Sequence, residues 1–274
     1  MQIEKIKENI NNVLKETNFT NLGERKVGKV RDIYIREKEI TLISTDRHSS
    51  FDRIIAHVPF KGEVLNQISQ FWFNQTKDIV PNHIISSPDR NSVVVKKCKV
   101  IPIECVVRGY ITGVTGTSLW THYSNGERHF GNFTLPDGLK KNQKLADPVF
   151  TPTTKSDEHD KPITPAEIVS EGILSKEMTD KLEEKTKAVF KRGQEIALEK
   201  GLILVDTKYE FGLDEDGVLT LIDEINTPDS SRYWKADSYQ ERFNKGERDP
   251  VFLYRYLQVS YDAMDGSHVK VSDA

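Results

Sequence analysis

Cysteine is scarce in this 274-residue chain, with Cys98 and Cys105 the only two. Two thiols make neither a disulfide framework nor a cysteine-rich metal site, a usage that fits a reducing compartment. Long apolar runs are lacking as well. No hydrophobic stretch approaches the ~18 residues of a membrane-spanning helix, and the start, MQIEKIKENINNVL, has no unbroken apolar segment of the signal-peptide kind. Neither sign of charge is in excess. The 39 Lys and Arg stand against 42 Asp and Glu, a net −3, which removes the electrostatic case for nucleic acid or an anionic membrane as a main partner. Internal repeats and low-complexity blocks are missing too. These absences leave an ordinary globular protein, expected in the cytoplasm, with one large or two modest domains.

What is present concentrates between Val205 and Arg232, VDTKYEFGLDEDGVLTLIDEINTPDSSR, where eight acids stand against two basic residues, Lys208 and Arg232. Val205, Thr207, Tyr209 and Phe211 alternate with Asp206, Lys208 and Glu210, and a period of two puts those three charged side chains on one face of a strand. Asp216-Gly217 is a two-residue hairpin signal of the type I′ kind. With that turn Glu215 pairs with Val218, and counting back sets Glu210 opposite Asp223. Carboxylates facing each other across strands repel. A hard cation between them relieves this, and Mg²⁺ is usually held by one or two carboxylates plus substrate phosphates. The alternative is a surface hairpin with solvated acids; Lys208 between the acids and the apolar opposite face count against it.

Along the rest of the chain, Ile3, Ile6, Ile10 and Val13 predict a short amphipathic helix. Val27–Ile35 and Ile40–Thr45 predict strands around a charged turn. Gly28 beside Lys29 and Arg31 can lay backbone N–H groups and cations over phosphates, the alternative being a solvated β edge. The polar stretch TDRHSSFD (45–52) reads as a ligand-contacting loop whose aspartates serve a metal, a ribose or a turn. Gly62–Phe73 predicts a helix whose aromatic stripe is core. Val93–Val95 and Val100–Val107 predict paired strands, followed by Arg108 and a glycine- and hydroxyl-rich stretch to Ser118 suited to a phosphate or carboxylate, or else a flexible connector. Residues 132–159 read as a long irregular loop, functional or disordered, and the stretch TPTTKSDEHD is polar enough to line a site. Thr164-Pro165-Ala166-Glu167 is a capping box, and Ser175–Lys200 a long helix closed by Gly201. A helix is expected near Val251–Leu257.

Eight motifs then fall into one order: GKVRDIY (28–34), STDRHSSFD (44–52), KG-x-VLNQIS-x-FWF (61–73), ECVVRGYITG (104–113), LPDGL (135–139), FTPTTKSDEHD (150–160), VDTKYEFG (205–212) and LIDEINTPDSSRYW (221–234). In this order they resemble the phosphoribosylaminoimidazole-succinocarboxamide synthase (SAICAR synthetase) family, over residues from about 20 to 240. The resemblance implies an α+β fold of two lobes, a smaller antiparallel β-rich lobe (1–104) and a larger α+β lobe (105–274), with ATP in the cleft between them. It implies an ATP- and Mg²⁺-dependent ligase of purine synthesis that joins L-aspartate to the carboxylate of carboxyaminoimidazole ribonucleotide (CAIR). The alternative is a small-molecule kinase on a related fold. By the same resemblance Gly28, Lys29, Arg31, Lys97 and Glu104 contact ATP, and Glu210 and Asp223 hold Mg²⁺. Arg108 and Arg232 take the 5′-phosphate, one of Ser118, Thr115 and Thr117 takes the role of a substrate-binding serine of the family, and Asp206, Lys208, Asp160 and Asp229, assisted by Ser231, lie near the ribonucleotide or its reacting carboxylate. Asp206 and Lys208 would be the catalytic pair. Monomer or small homo-oligomer is the expected state.

Overall fold

In a computed structural model of the chain, residues 3–50, 53–116, 118–155 and 161–247 are described. They divide into two compact units, one of residues 3–71 with 83–98 and one of residues 72–82 with 99–247. The boundary expected at residue 104 lies inside a continuous strand. Pairing along that strand's length keeps Glu104 in the same unit as Arg108.

The elements in the first part of the chain are α1 (Ile3–Glu8), β1 (Glu24–Val27), β2 (Arg31–Ile35), β3 (Glu39–Ser44), β4 (Arg47–Ser50), β5 (Arg53–His57), α2 (Lys61–Thr76), β6 (Ile84–Asp89) and β7 (Ser92–Lys96). β1, β2, β3, β7 and β6 form an antiparallel sheet in that order, and β4 pairs with β5. Leu42, Val93 and Val95 pack with Ile33, Ile40 and Ile84 to make its core, as alternation in β-branched strands dictates. α1 stops at Glu8, short of the Ile10 and Val13 that its apolar spacing includes. In α2, Leu65, Trp72 and Phe73 are buried, but Phe71 is 45% exposed, so the aromatic stripe is core only in part.

The second unit is built on β8 (Lys99–Ile111), α3 (Leu119–Ser124), β9 (Gln143–Phe150), β10 (Thr153–Thr154), α4 (Pro165–Ser170), α5 (Lys176–Glu199), β11 (Leu202–Leu213), β12 (Leu219–Ile222), β13 (Ser231–Lys235) and α6 (Ala236–Lys245). β8 and β11 pair at its centre, with β9 and β10 on β8 and β12 and β13 on β11, all antiparallel. Val93–Val95 and Val100–Val107 are therefore strands but not partners, since β7 pairs within the first unit. β9 occupies part of the stretch expected to be a loop. It has no apolar alternation and contains Pro148, and it becomes a strand by pairing with β8. Arg108 belongs to β8 itself and not to a loop after it.

Alternation along the central strands sorts this sheet into two faces. Ile101, Ile103, Cys105 and Val107 of β8 and Val205, Thr207, Tyr209 and Phe211 of β11 are buried, and α5 lies across this sheet through Leu182, Val189, Phe190, Gly193 and Ala197. Burial pushes the Cys105 thiol up, so it is an inert core residue. The alternate positions, Glu104, Val106 and Arg108 on β8 and Asp206, Lys208 and Glu210 on β11, share the other face. Among the described residues no helix is long and apolar enough to cross a membrane. The expected helix at Val251–Leu257 lies outside the described residues.

Candidate active site

Three strands carry the charged face in register. Asp206 of β11 stands opposite Arg108 of β8 on one side and Arg232 of β13 on the other. Arg232 donates from Nε to the Asp206 carboxylate at 2.7 Å and pairs with it again through Nη2. Arg108 approaches the same carboxylate at 3.7 Å and donates from Nε to Thr151 Oγ1 at 3.0 Å. Burial pulls the Arg108 pKa below its ordinary value; Asp206 opposes this and Arg232 adds to it. Two guanidiniums around one carboxylate leave a net positive charge at a half-buried spot, an arrangement suited to a phosphate or carboxylate. Asp206 holds the forks in place. Ser231 stands opposite Thr207, and its hydroxyl lies 2.7 Å from that of Thr207 on the buried face of the sheet, so it is not brought to the two arginines.

Further along the same face, Lys208 donates to Glu104 Oε1 at 2.5 Å and Thr153 donates to Glu104 Oε2 at 3.3 Å. Glu210 stands opposite Glu104 across β8 and opposite Ile222 across β12. The register expected between Glu210 and Asp223 is thus off by one. The Asp214 carboxylate accepts from the N–H groups of Asp216 and Val218 at 3.1 and 2.9 Å, and the Asp214 amide donates to Val218 O. This closes a three-residue loop of Glu215, Asp216 and Gly217, with Gly217 at φ 75°, in place of a two-residue turn.

Asp223 nevertheless acts on Glu210 through its charge. In a regular strand it would point to the core face, but its φ of 68° takes it out of the β12 ladder. Burial first and the Asp223 charge second raise the Glu210 pKa above the ordinary carboxylate range, with Lys155 and Lys208 acting in the opposite direction. Lys155 forms an ion pair with Glu210. Two hard oxygen donors that repel each other, with a cation already drawn to one of them, fit a Mg²⁺ ion completed by ligand oxygens. Among the described residues no cluster of three His, Cys, Asp or Glu side chains could hold a metal by itself.

A cavity of about 580 Å³ opens on this face, lined by Glu104, Arg108, Thr151, Thr153 and Lys208 and by residues outside the sheet such as His122 and Asn132. Its size and its few convergent polar groups suit a small polar ligand. Glu104, which the resemblance links to ATP, is thereby grouped with Arg108 and Lys208. Ser118 is 3% exposed and caps α3, accepting from the Thr121 amide at 3.3 Å, so its hydroxyl has a local structural task. Asp229 is exposed in the turn before β13, and Asp160 lies outside the described residues.

The remaining predicted residues belong to the first unit. Gly28 opens the turn between β1 and β2, donating to Arg31 O at 2.8 Å, with Lys29 in the turn and Arg31 at the start of β2. Lys97 lies at the other end of β2, where its Nζ donates to Arg36 O at 3.5 Å. A five-residue strand separates the two ends, about 15 Å at the usual rise. Lys97 is therefore not brought to the Gly28 turn.

The sequence does not single out Lys155, Thr151 and Thr153, although the stretch TPTTKSDEHD that holds them is legible as polar enough to line a site, as Thr151 and Thr153 do.

The sequence profile of the SAICAR synthetase family matches residues 24–264. A phosphoribosylaminoimidazole-succinocarboxamide synthase of Legionella pneumophila (strain Paris) is 54% identical over 237 residues, covering 86% of this chain and 76% of its own. The chloroplastic enzyme of that name from Vigna aconitifolia is 53% identical over 241 residues, covering 86% and 71%. Among solved structures, SAICAR synthase from Saccharomyces cerevisiae complexed with SAICAR superposes with a TM-score of 0.74 at 29% identity, over 93% of this chain and 98% of that one. A SAICAR synthetase in complex with ADP gives 0.66 at 27% identity, over 89% and 98%. With a family profile over most of its length, relatives more than half identical and solved structures of the same fold, the chain belongs to the SAICAR synthetase family.

Proposed function

We infer that this protein joins L-aspartate to the carboxylate of CAIR, with ATP converted to ADP and phosphate. The observation that carries the reading is the ordered charged face of β8, β11 and β13, with its two arginines around Asp206 and its adjoining acidic pair, in a chain 54% identical to a named synthase. A carboxylate is a poor acyl donor. In the reading proposed here a CAIR carboxylate oxygen takes the γ-phosphoryl group and ADP leaves. The aspartate amine then attacks the acyl carbon of the resulting acyl phosphate, and phosphate departs.

The protein's part is positioning and charge stabilisation. Arg108 and Arg232 grip the 5′-phosphate of CAIR, each oriented by the Asp206 carboxylate, with Asp229 in the turn before β13. Lys208, held by Glu104, offers its ammonium to the reacting carboxylate and to the charge that gathers there. Gly28, Lys29 and Arg31 bind the phosphates of ATP. Glu210 and Asp223 hold Mg²⁺, which when bound supplies charge neutralisation to phosphate oxygens.

A coupled assay for ADP with each substrate omitted in turn tests this. ADP release should require both CAIR and aspartate for sustained turnover. Steady ADP release that ignores aspartate would point to the kinase alternative.

A further inference from the structure

The tripeptide Thr45-Asp46-Arg47 belongs to a motif read from sequence as ligand-contacting, yet Thr45 is fully buried, Asp46 is 4% exposed and Arg47 is 3% exposed. Their polar atoms turn inward. Arg47 donates from Nη2 to Gly28 O at 3.0 Å and from Nε to Lys29 O at 3.1 Å. Thr45 donates to Val30 O from its amide at 2.9 Å and from its hydroxyl at 2.8 Å. Three successive carbonyls of the β1–β2 turn are thus captured by two side chains and one amide from a segment fifteen or more residues away.

Arg47 is itself fixed. It donates to Lys15 O at 2.7 Å and to Asp32 Oδ1 at 2.9 Å. Asp32 is fully buried and accepts in addition from the Thr17 amide and hydroxyl at 2.6 and 2.9 Å and from Arg25 at 3.2 Å. Burial alone would raise its pKa; the Thr17 hydrogen bonds and Arg47 outweigh burial and hold it below the usual carboxylate range. A buried guanidinium with a paired carboxylate and several carbonyl partners is a rigid anchor.

In a planar trans peptide the C=O of one residue and the N–H of the next point in opposite directions. Drawing the Gly28 and Lys29 carbonyls onto Arg47 therefore sends the N–H groups of Lys29 and Val30 the other way. Amides aligned in this manner attract anions. Gly28 also packs tightly, since a Cβ there would stand 3.0 Å from Arg31 O.

We propose that Arg47 and Thr45 are positioning residues for nucleotide phosphate, holding the Gly28–Val30 backbone so that the N–H groups of Lys29 and Val30 and the Lys29 side chain face the ATP phosphates. This rests on the reading of that turn as the phosphate-binding element. The two side chains act through the backbone and do not touch the nucleotide.

The test compares Arg47→Lys, Thr45→Val, Arg25→Gln and Lys29→Ala by initial rates with each substrate varied, and by calorimetric titration with ADP. Arg47→Lys keeps the charge beside Asp32 but loses the fork. It should raise KM for ATP and Kd for ADP about tenfold, as expected for one or two lost hydrogen bonds, with KM for CAIR and aspartate changed by less than about twofold. Thr45→Val should move the same constants in the same direction by a smaller factor. Arg25→Gln removes another partner of Asp32 without touching the turn, and should lower thermal stability while leaving the nucleotide constants in place. Unchanged nucleotide constants in Arg47→Lys and Thr45→Val, with Lys29→Ala weakening ADP, would overturn the positioning role alone. An equal rise in Arg25→Gln would also overturn it, since general loosening of the Asp32 cluster would then suffice. Unchanged ADP affinity in Lys29→Ala would remove the phosphate-binding reading and this proposal together. Should Arg47→Lys fail to fold, Thr45→Val decides.

Discussion

Glu210 carries a cost that its chemistry explains. Its pKa is raised by burial and by Asp223, so ionisation is harder in the folded chain than in the unfolded one. A carboxyl group with a raised folded pKa contributes stability below its unfolded value, near 4.3, and loses that contribution as pH rises through the folded value. Glu210→Gln imitates the protonated form. Without Mg²⁺ at neutral pH, this variant should melt at the same or a higher temperature than the parent in a thermal scan, with the gap closing as pH falls toward the carboxylate range. Its turnover should fall by about a hundredfold or more. Loss of fold together with loss of activity would assign Glu210 a structural role. Arg108→Lys probes the other end of the face. A point charge replaces a fork that reaches both Asp206 and Thr151, and KM for CAIR should rise about tenfold with a smaller effect on kcat. Steady-state kinetics with CAIR varied gives the answer, and an unchanged KM would remove Arg108 from the phosphate site.

Among the elements, α5 and β11 show how local signals and packing divide the work. Ser175 caps α5 and Gly201 follows it at φ 73°, both readable as helix stops and starts. Gly193 in the middle of α5 is not explained by helix propensity, where glycine costs about 1 kcal/mol relative to alanine. Its place comes from contact: a Cβ there would lie 2.8 Å from Asn226 Nδ2 and 2.9 Å from Leu204 Cδ2. Asn226 in turn accepts from the Tyr209 hydroxyl at 2.8 Å, in the strand that bears Lys208 and Glu210. Gly193→Val should therefore destabilise the protein by roughly 1–3 kcal/mol through overpacking, measurable by urea denaturation, and should reduce kcat as β11 shifts. The hairpin after β11 teaches a different lesson. Asp216-Gly217 was legible as a turn, but its length was set by the Asp214 carboxylate bonding two amides ahead. That one hydrogen-bonding choice moves the ladder by a residue.

Across the whole molecule, binding of Mg²⁺ and ATP should register as stability. A ligand that binds only the folded state adds about 2.7 kcal/mol at a hundred times its Kd, which is a rise of several degrees in melting temperature for a chain of this size. Asp223→Asn should lose most of the Mg²⁺-dependent part of that rise and keep the part due to nucleotide alone. An undiminished Mg²⁺ response in a scan of this variant would place the ion elsewhere. Much of this was written in the chain. The alternation Val205–Phe211 determined which side chains of β11 face the site, because a strand's side-chain period is fixed by backbone geometry. The eight ordered motifs determined the family. Only the tertiary structure decided that Glu104 keeps company with Lys208, that Arg108 and Arg232 flank Asp206, and that Arg47 holds the Gly28 turn. These are contacts between residues far apart in sequence. Strand order and register set them, and neither propensity nor periodicity encodes which distant strand lies alongside.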